Sequence, residues 1–226
     1  MFEQQPEAIQ QKVKSLATQS LSQSDPSGWF DVLYAQADGD SSQVPWAKLT
    51  MHPYLQNWLD TNQVQGDGRS ALVIGCGLGD DAQALQKRGF QVTAFDISPT
   101  AIAWCQQRFP DSSVTYVVAD LFALDPSWHR AFDFVFESRN IQALPLSVRS
   151  NVIEAIASLV AQEGTLLVIT RHRDTDAEPE GPPWPLSDQE LAQFQALGLR
   201  EIRRDTFFEG DGNTVQQLRL EYRFAE

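Results

Sequence analysis

Short apolar runs alternate with amphipathic segments through the last two thirds of the chain. The runs are rich in β-branched and aromatic residues and lie at 71–74, 91–95, 114–118, 132–136 and 164–170. Between them, apolar residues recur at helical spacing, for example Ile102 and Cys105 after the second run. Strands that alternate with helices predict a doubly wound α/β sheet with mostly parallel strands.

Several helix boundaries can be predicted from capping signals. Helices are expected at about 6–20, from Pro53, from Asp80 and across 147–160, and two further starts carry recognisable caps. Ser98 precedes Pro99, a favourable N-cap followed by proline at the first helical position. Ser187 and Glu190 have the spacing of a capping box. Segments 200–208 and 214–224 read as two final strands around a turn at 209–213.

A glycine turn follows the first apolar run. Gly75, Gly77 and Gly79 alternate with Cys76 and Leu78, and the second run ends at Asp96. In a doubly wound sheet such a turn lets a ligand approach the backbone, and the acid at the end of the second strand binds ribose hydroxyls. The sequence therefore predicts a nucleotide or nucleoside site here.

The start of the following helix selects the kind of ligand. A dinucleotide would place its pyrophosphate at this helix N-terminus, where Asp80 and Asp81 would repel it. A ligand with a ribose, no phosphate and a cationic end fits better, and S-adenosylmethionine carries an ammonium and a sulfonium. A dehydrogenase remains the disfavoured alternative.

The run from Val73 to Asp96 resembles the first two motifs of class I S-adenosylmethionine-dependent methyltransferases. The resemblance implies a Rossmann-like, doubly wound, mostly parallel seven-stranded sheet with an antiparallel C-terminal strand, and S-adenosylmethionine as cofactor. It also implies that Asp120 receives the adenine amino group. In that class an acid usually stands two residues before the first glycine, where this chain has Val73. The cofactor-binding residues that we predict are Trp46, Gly75, Cys76, Gly77, Gly79, Asp96, Ile97, Asp120, Leu121, Phe122 and Glu137.

We expect residues 1–69 to form a helical, aromatic-rich extension ahead of a core at 70–226. The extension and the core are expected to form one compact domain. The extension either packs on the edge of the sheet or forms a lid that excludes water from the cofactor. Aromatic faces suit a sulfonium through cation–π attraction. Pro45-Trp46 and the segment 52–55 resemble the thiopurine, thiol and halide methyltransferases, and the tract 181–184 resembles their GGPP-type loop, with Glu180 replacing a glycine.

Few residues qualify as a general base. The histidines are His52, His129 and His172, and His172 is the best placed because it follows the 164–170 strand between two arginines. Glu137 follows the 132–136 strand and can hold the cofactor, orient an acceptor or act as a base. The candidate catalytic residues are therefore Glu137 and His172. The predicted substrate-binding residues are Trp29, Tyr34, Asn140, Arg171 and His172. No spacing suggests a metal site.

The amino-acid composition limits the classes of molecule that this protein is expected to bind. The formal charge of −13 and the pI near 4.6 make nucleic acid or an anionic membrane surface unlikely partners, and a small-molecule acceptor is expected. Two cysteines suggest no disulfide framework, and no long apolar stretch or signal peptide is evident, so we expect a cytoplasmic protein. Monomer and homodimer both remain open.

The leading hypothesis is a methyltransferase that acts on a small thiol or a similarly soft nucleophile. A thiol suits the scarcity of bases, because its ordinary pKa near 8.5 already provides some thiolate. The alternatives are an O- or N-methyltransferase of a small metabolite, and a protein that binds S-adenosylmethionine without catalysis.

Overall fold

The computed structural model describes residues 7–22, 25–175, 177–210, 212 and 214–224. Within these residues the strands are β1 (Ser70–Ile74), β2 (Gln91–Asp96), β3 (Thr115–Val118), β4 (Phe132–Ser138), β5 (Val160–Arg171), β6 (Leu199–Glu209) and β7 (Val215–Phe224). They form one seven-stranded sheet in the order β3-β2-β1-β4-β5-β7-β6. The β1–β5 neighbours pair in parallel, whereas β7 pairs antiparallel with both β5 and β6. The predicted fold is confirmed.

The strand order reverses at β1, which lies between β2 and β4. In open α/β sheets, ligands bind in the crevice outside the carboxyl ends of the strands at such a reversal. The glycine turn leaves β1 at this point, so the topology directs a ligand to the turn.

The helices cover both faces of the sheet. They are α1 (Glu7–Ser22), α2 (Trp29–Ala37), α3 (Pro53–Thr61), α4 (Asp80–Lys87), α5 (Pro99–Arg108), α6 (Arg149–Leu159), α7 (Asp188–Leu191) and α8 (Gln193–Ala196). In β1, Leu72 and Ile74 pack into the cluster that includes α6, whereas Ala71 and Val73 pack into the cluster that includes α3 and α4. Successive side chains of a strand point to opposite faces, so this apolar run supports two hydrophobic layers.

The predicted caps are confirmed. The Ser98 hydroxyl accepts a hydrogen bond from Ala101 N at 3.0 Å, and Ser187 and Glu190 form the reciprocal capping box at the start of α7. The helix after this box is divided into two single turns, α7 and α8. The predicted start of α1 at Pro6, and Asp211 and Asn213 of the predicted turn, lie outside the described residues.

Two strands are longer than the apolar runs predicted. β4 continues through Glu137 to Ser138, and β5 begins at Val160 rather than Gly164. In β4, hydrogen-bonded pairing with β1 and β5 continues beyond the apolar residues, because Glu137 pairs with both Ile74 and Val168. Glu137 is therefore a residue of the strand itself. Among the helices that the structure describes, none has the length and apolar character required to cross a membrane.

A buried arginine joins α3 to the antiparallel end of the sheet. Arg219 of β7 is only 2% exposed, and its guanidinium pairs with Asp205 of β6 at 2.7 Å. It also donates to the Tyr54 carbonyl at 2.7 Å and to Asn57 Oδ1 at 2.9 Å. One side chain thus holds together three elements that are distant in sequence.

We predict that Arg219→Met lowers the free energy of unfolding by about 3 kcal/mol, because it leaves Asp205 and two acceptors of α3 without their buried partner. Urea unfolding followed by circular dichroism measures the change. Arg203→Met is the matched control, since Arg203 also pairs with Asp205, at 2.9 Å, but its side chain is 44% exposed. The control is expected to cost less than about 1 kcal/mol. Equal losses in the two variants would contradict the role given to Arg219.

Candidate active site

A cavity of about 540 Å³ opens at the carboxyl ends of β1, β2 and β4, beneath the N-terminal segment. Most of the residues predicted for the site lie on its wall. They are Trp29, Tyr34, Trp46, Gly75, Cys76, Gly77, Asp96, Ile97, Asp120, Leu121, Phe122, Asn140 and Arg171. Gly79, Glu137 and His172 do not line it.

The first glycine of the turn is required by its contact with Asn140. Gly75 has φ +54°, and a Cβ atom there would lie 1.9 Å from Asn140 Oδ1. The Asn140 amide donates a hydrogen bond to the Ile74 carbonyl at 2.8 Å, which joins the ends of β1 and β4. Asn140 was predicted to bind substrate, and its observed contacts organise the turn as well.

The other glycines have separate roles. Gly77 also has φ +54°, and a Cβ there would lie 3.2 Å from the Tyr34 hydroxyl, so the turn is closely covered from above. Gly79 is the N-cap of α4, and a Cβ there would lie 2.6 Å from the Tyr116 hydroxyl. Gly79 is off the cavity because it supports the packing of the turn against β3 and α5, not the wall.

Asp96 lies at the end of β2 and faces the turn. Its Oδ2 accepts a hydrogen bond from Gly77 N at 2.9 Å, and its Oδ1 accepts one from Ser98 N at 3.0 Å. Burial raises the pKa of Asp96 to about 6, against the lowering effect of these hydrogen bonds. A carboxylate that is fixed here by two backbone amides suits the binding of ribose hydroxyls.

The loop after β3 lies beside Asp96 on the cavity wall. Asp120 Oδ1 accepts a hydrogen bond from Phe122 N at 2.9 Å, which folds the loop into a turn. The Phe122 ring is 42% exposed and Leu121 is partly buried. Both apolar side chains line the cavity next to the acid, as an adenine ring with its amino group would require.

Aromatic residues of the N-terminal segment cover the glycine turn. The Trp29 and Phe30 rings stack with centroids 4.0 Å apart, and Trp46 meets both of them edge-on. Trp46 Nε1 donates a hydrogen bond to the Tyr34 hydroxyl at 2.6 Å. Burial raises the pKa of Tyr34 well above its ordinary value, so the hydroxyl stays protonated. These rings form an apolar roof above Gly77.

Sequence reasoning missed the residue that anchors this roof. Asp31 of α2 accepts a hydrogen bond from the Ser98 hydroxyl at 2.6 Å and another from Thr100 N at 3.2 Å. Burial acts to raise the pKa of Asp31, but these hydrogen bonds outweigh it and the pKa lies below the usual value. α2 is therefore tied to the start of α5. An acid in the first turn of a helix reads as ordinary capping, so the sequence carried no signal of this contact.

The two acids at the start of α4 have different partners. Asp80 forms a two-pronged ion pair with Arg108 of α5, with N–O distances of 2.8 and 2.9 Å. No such cation is found for Asp81 in the part of the chain that the structure describes, and its Oδ1 accepts a hydrogen bond from His52 N at 2.7 Å. Burial raises the pKa of Asp81 to about 7. Both residues line the cavity. The charge of Asp80 is largely offset, so Asp81 accounts for most of the negative character there.

A polar group lies on the opposite side of the cavity from Asp96 and Asp120. Arg139, just after β4, pairs with Glu209 of β6 at 3.1 Å and donates to Gln217 Oε1 at 3.3 Å. The Tyr54 hydroxyl also donates to Glu209, at 2.8 Å. Sequence reasoning did not single out Arg139, because its partner lies 70 residues away.

His52 lies on the cavity wall but is not poised as a base. Its Nδ1 accepts a hydrogen bond from Tyr54 N at 3.2 Å as the N-cap of α3. Burial and the nearby Arg139 lower the pKa of His52 to about 3, although Glu209 opposes them. His52 is therefore neutral at physiological pH.

The loop at 181–184 completes the wall. Pro182 and Pro183 line the cavity together with Arg171 and Gln142, and both peptide bonds that precede these prolines are cis. Gln142 Oε1 accepts a hydrogen bond from Arg171 N at 2.6 Å, and Trp184 N donates to the Gln142 carbonyl at 2.7 Å. Gln142 thus joins the loop to the end of β5.

Glu137, which was predicted to touch the cofactor or to act in catalysis, does not line the cavity. It is fully buried, and its Oε1 accepts hydrogen bonds from Asn140 N at 2.6 Å and Ile141 N at 3.0 Å. Burial raises the pKa of Glu137 to about 7. Glu137 is a residue of β4, and its carboxylate supports the turn that carries Asn140.

His172, which was the best-placed candidate base in the sequence, does not line the cavity either. Arg171 faces the cavity, and alternation along the strand turns the next side chain away. The His172 side chain is 7% exposed, and its Nε2 lies 3.3 Å from Asp188 Oδ1 at the start of α7. It has no access to the cavity.

The residues present fit S-adenosylmethionine. Asp96 and the turn at 75–77 suit a ribose, the loop at 120–122 suits an adenine, and the aromatic roof with Asp81 suits a cationic end. Asp81 faces the cavity at the start of α4, and its negative charge there favours a positive ligand over a pyrophosphate.

Comparison with known proteins agrees with this geometry. The family described as thiopurine S-methyltransferase (TPMT) matches residues 37–214. A probable thiol methyltransferase 2 of Arabidopsis thaliana is 26% identical over 199 residues, which cover 84% of this chain and 83% of the plant protein. A thiopurine S-methyltransferase of Shewanella pealeana is 34% identical over 181 residues, with 72% of this chain and 78% of the bacterial protein covered.

Solved structures share the fold. The 1,6-didemethyltoxoflavin-N1-methyltransferase of Burkholderia thailandensis, solved with 1,6-didemethyltoxoflavin and S-adenosylhomocysteine, superposes with a TM-score of 0.67 at 16% identity. The superposition covers 89% of this chain and 91% of that chain. At this identity the likeness shows the fold alone.

We predict that Gly75→Ala weakens S-adenosylhomocysteine binding by more than about tenfold. The left-handed backbone strains an alanine by about 1–2 kcal/mol, and its methyl group would displace Asn140. Isothermal titration calorimetry measures the dissociation constant. Gly39→Ala is the control, because Gly39 has φ +84° but an added Cβ meets nothing within 4 Å. It also places an alanine at a positive φ but without the collision, so unchanged binding is expected. Tight binding by the Gly75 variant would contradict the requirement.

We also predict that Glu137→Gln stabilises the protein increasingly between pH 4.5 and 7. Because burial raises the pKa, the native state holds its proton more tightly than the unfolded chain, and ionised Glu137 costs stability as the pH rises. Glutamine keeps the acceptor oxygen without the charge, and the gain reaches about 3 kcal/mol above pH 7. Urea unfolding at pH 5, 6, 7 and 8 measures it.

The control for this series is Glu154→Gln, which changes an exposed acid on α6. Its difference from the wild type is expected to stay flat with pH. A Glu137 variant that loses stability as the pH rises would show that the charge is favourable where it lies.

Proposed function

The chain belongs to the thiopurine S-methyltransferase family, and from this membership we propose that it methylates the sulfur of a small thiol or a similarly soft nucleophile. Methyltransferase activity that depends on S-adenosylmethionine, with a small-molecule acceptor, follows from the family. The soft acceptor is the further step. The thiol and thiopurine acceptors in the names of the relatives support it.

One observation carries the proposal. The two segments that resemble the thiopurine, thiol and halide group are far apart in sequence, yet Trp46 from one and Pro182 and Pro183 from the other line the same cavity. Both segments that carry the resemblance therefore contribute to the wall of one cavity. An apolar wall of this kind suits a soft, weakly hydrated nucleophile better than a charged amine.

Methyl transfer to a thiol requires few catalytic groups from the protein. The cofactor supplies an electrophilic methyl group, and the chain binds, aligns and dries the two reactants. A thiol needs little help to ionise, whereas a hydroxyl requires a general base. His52 is a weak base, because its pKa is lowered to about 3 and its Nδ1 already accepts a hydrogen bond, and Glu137 and His172 are off the wall. This distribution of side chains supports a thiol acceptor.

We assign roles to the wall residues on the same basis. Asp96 binds the ribose hydroxyls, and Asp120 binds the adenine amino group between Leu121 and Phe122. Trp29, Tyr34 and Trp46 cover the sulfonium and exclude water, so the described part of residues 1–69 acts as a lid on the core at 70–226. Arg171 and Asn140 lie nearest to the acceptor.

A second candidate is methylation of a hydroxyl on a small metabolite. It is favoured by Asp81, because burial raises the pKa of this cavity-lining acid to about 7, which is within the range of a general base. The two candidates differ in the atom that accepts the methyl group, and a matched pair of acceptors separates them.

We predict that thiophenol is methylated with a kcat/KM at least about 100-fold above that for phenol at pH 8, because the two acceptors share one shape and differ in the ionisation and softness of the reacting atom. Transfer of a radiolabelled methyl group from S-adenosylmethionine measures both rates, with aniline as a nitrogen acceptor. Reactions without acceptor give the background. Faster turnover of phenol or aniline than of thiophenol would refute the thiol proposal while leaving the methyltransferase assignment intact.

A further inference from the structure

Asp81 lines the cavity at the start of α4, and among the described residues no cation is paired with it. Its neighbour Asp80 is neutralised by Arg108. Asp81 Oδ1 accepts the hydrogen bond from His52 N, and within the described residues no hydrogen bond to its Oδ2 is found. The residue is partly exposed, and it lines the cavity deep under the N-terminal segment. An ionised carboxylate in that position calls for a positive group in the ligand.

The surroundings of Asp81 identify which end of the cofactor reaches it. Adenine and ribose are expected at Asp120 and Asp96, at the ends of β3 and β2. Asp81 contacts His52, and His52 lies within electrostatic range of Arg139 and Glu209. These two residues lie on the side of the cavity opposite Asp96 and Asp120. Asp81 is therefore on the side away from the adenosine, where the methionine arm and the acceptor meet.

This chain lacks the acid that the class usually carries before the first glycine. Val73 stands there, and its side chain is buried in the core cluster with Trp58 and Phe134. The methionine arm carries an ammonium group that needs an anionic partner in a buried site. Asp81 comes from the start of α4, on the other side of the glycine turn, and can supply that partner.

We infer that Asp81 binds the ammonium group of the cofactor's methionine arm, in place of the acid missing at position 73. The inference rests on the proposed function, since it names how the same cavity recognises its cofactor. One carboxylate then has two duties: Oδ2 faces the ammonium, and Oδ1 holds the backbone of His52 at the start of α3. The charge of the cofactor and the docking of the N-terminal segment are joined through this side chain.

The assignment predicts a proton linkage. The charged residue that acts directly on Asp81 is Asp80, which is paired with Arg108. His52, whose backbone N–H donates to Asp81, is in turn within electrostatic range of Arg139 and Glu209, and Lys48 lines the same cavity. Burial raises the pKa of Asp81 to about 7, and an ammonium beside it would lower that pKa. Cofactor binding therefore releases a proton near pH 7, and affinity rises from pH 5.5 to 7.5, a range in which the ammonium stays protonated.

The test compares two ligands that differ in the methionine arm. S-Adenosylhomocysteine carries the ammonium, and 5′-methylthioadenosine keeps the adenosine and the thioether without it. We predict that Asp81→Asn weakens S-adenosylhomocysteine by about 10- to 100-fold and changes 5′-methylthioadenosine by less than about twofold. Asparagine keeps an oxygen for His52 N, so the start of α3 is preserved. Isothermal titration calorimetry measures both affinities.

Asp80→Asn is the matched control. It removes a carboxylate one residue away, so it separates the specific contact from general negative charge at the helix start. We expect this variant to keep the wild-type ratio between the two ligands. A loss of that ratio in both variants would show that the summed charge, not Asp81, selects the ammonium.

Proton release on ligand binding can be measured with the wild-type protein, so this test does not depend on an Asp81 variant that folds. In wild-type protein at pH 7, S-adenosylhomocysteine is expected to release about half a proton, measured by calorimetry in buffers of different ionisation enthalpy. 5′-Methylthioadenosine is expected to release almost none. Equal release with both ligands would overturn the assignment.

Three other results would also overturn it. An equal loss of both ligands in Asp81→Asn would mean that the residue only supports the turn. Unchanged S-adenosylhomocysteine affinity with a reduced kcat would make Asp81 a base for the acceptor. Failure of wild-type protein to bind either ligand would reject the proposed function itself and the assignment with it.

Discussion

The hydrogen bond from the Asn140 amide to the Ile74 carbonyl joins the ends of β1 and β4 where the order of the strands reverses. The reversal of strand order creates the crevice, and this hydrogen bond joins the two strand ends at its base. Only a glycine at position 75 leaves room for the Asn140 side chain. The turn, the cavity wall and the support from Glu137 beneath Asn140 all depend on that close approach.

The site also depends on carboxylates held in a buried environment. Asp96, Asp81 and Glu137 all have raised pKa values because burial disfavours their charged forms. Their chemistry differs with position: Asp96 and Asp81 face the cavity, whereas Glu137 accepts two backbone hydrogen bonds below it. Under the proposed function, the first two would gain partners when the cofactor binds, and binding would then offset the stability that their burial costs in the free protein.

The N-terminal segment completes the site through polar contacts at both ends of an aromatic roof. Asp31 ties α2 to α5, and His52 N ties the start of α3 to Asp81. Trp46 and Tyr34 lie between these ties and join to each other by a hydrogen bond. The partners of these two ties, Ser98 and Asp81, belong to the core, which explains how a segment ahead of β1 is held over the glycine turn.

The sequence by itself determined the fold class, the glycine turn, Asp96 and most of the wall, because strand runs, caps and glycine spacing are local and depend on neighbouring residues. It could not show that Glu137 and His172 lie off the cavity wall, because this follows from strand pairing that extends β4 and from side-chain alternation at the end of β5. It could not find Arg139, Asp31 or the separate partners of Asp80 and Asp81. Those contacts join residues far apart in the chain, and only the packed structure decides which distant charges meet and which acid is left to face a ligand.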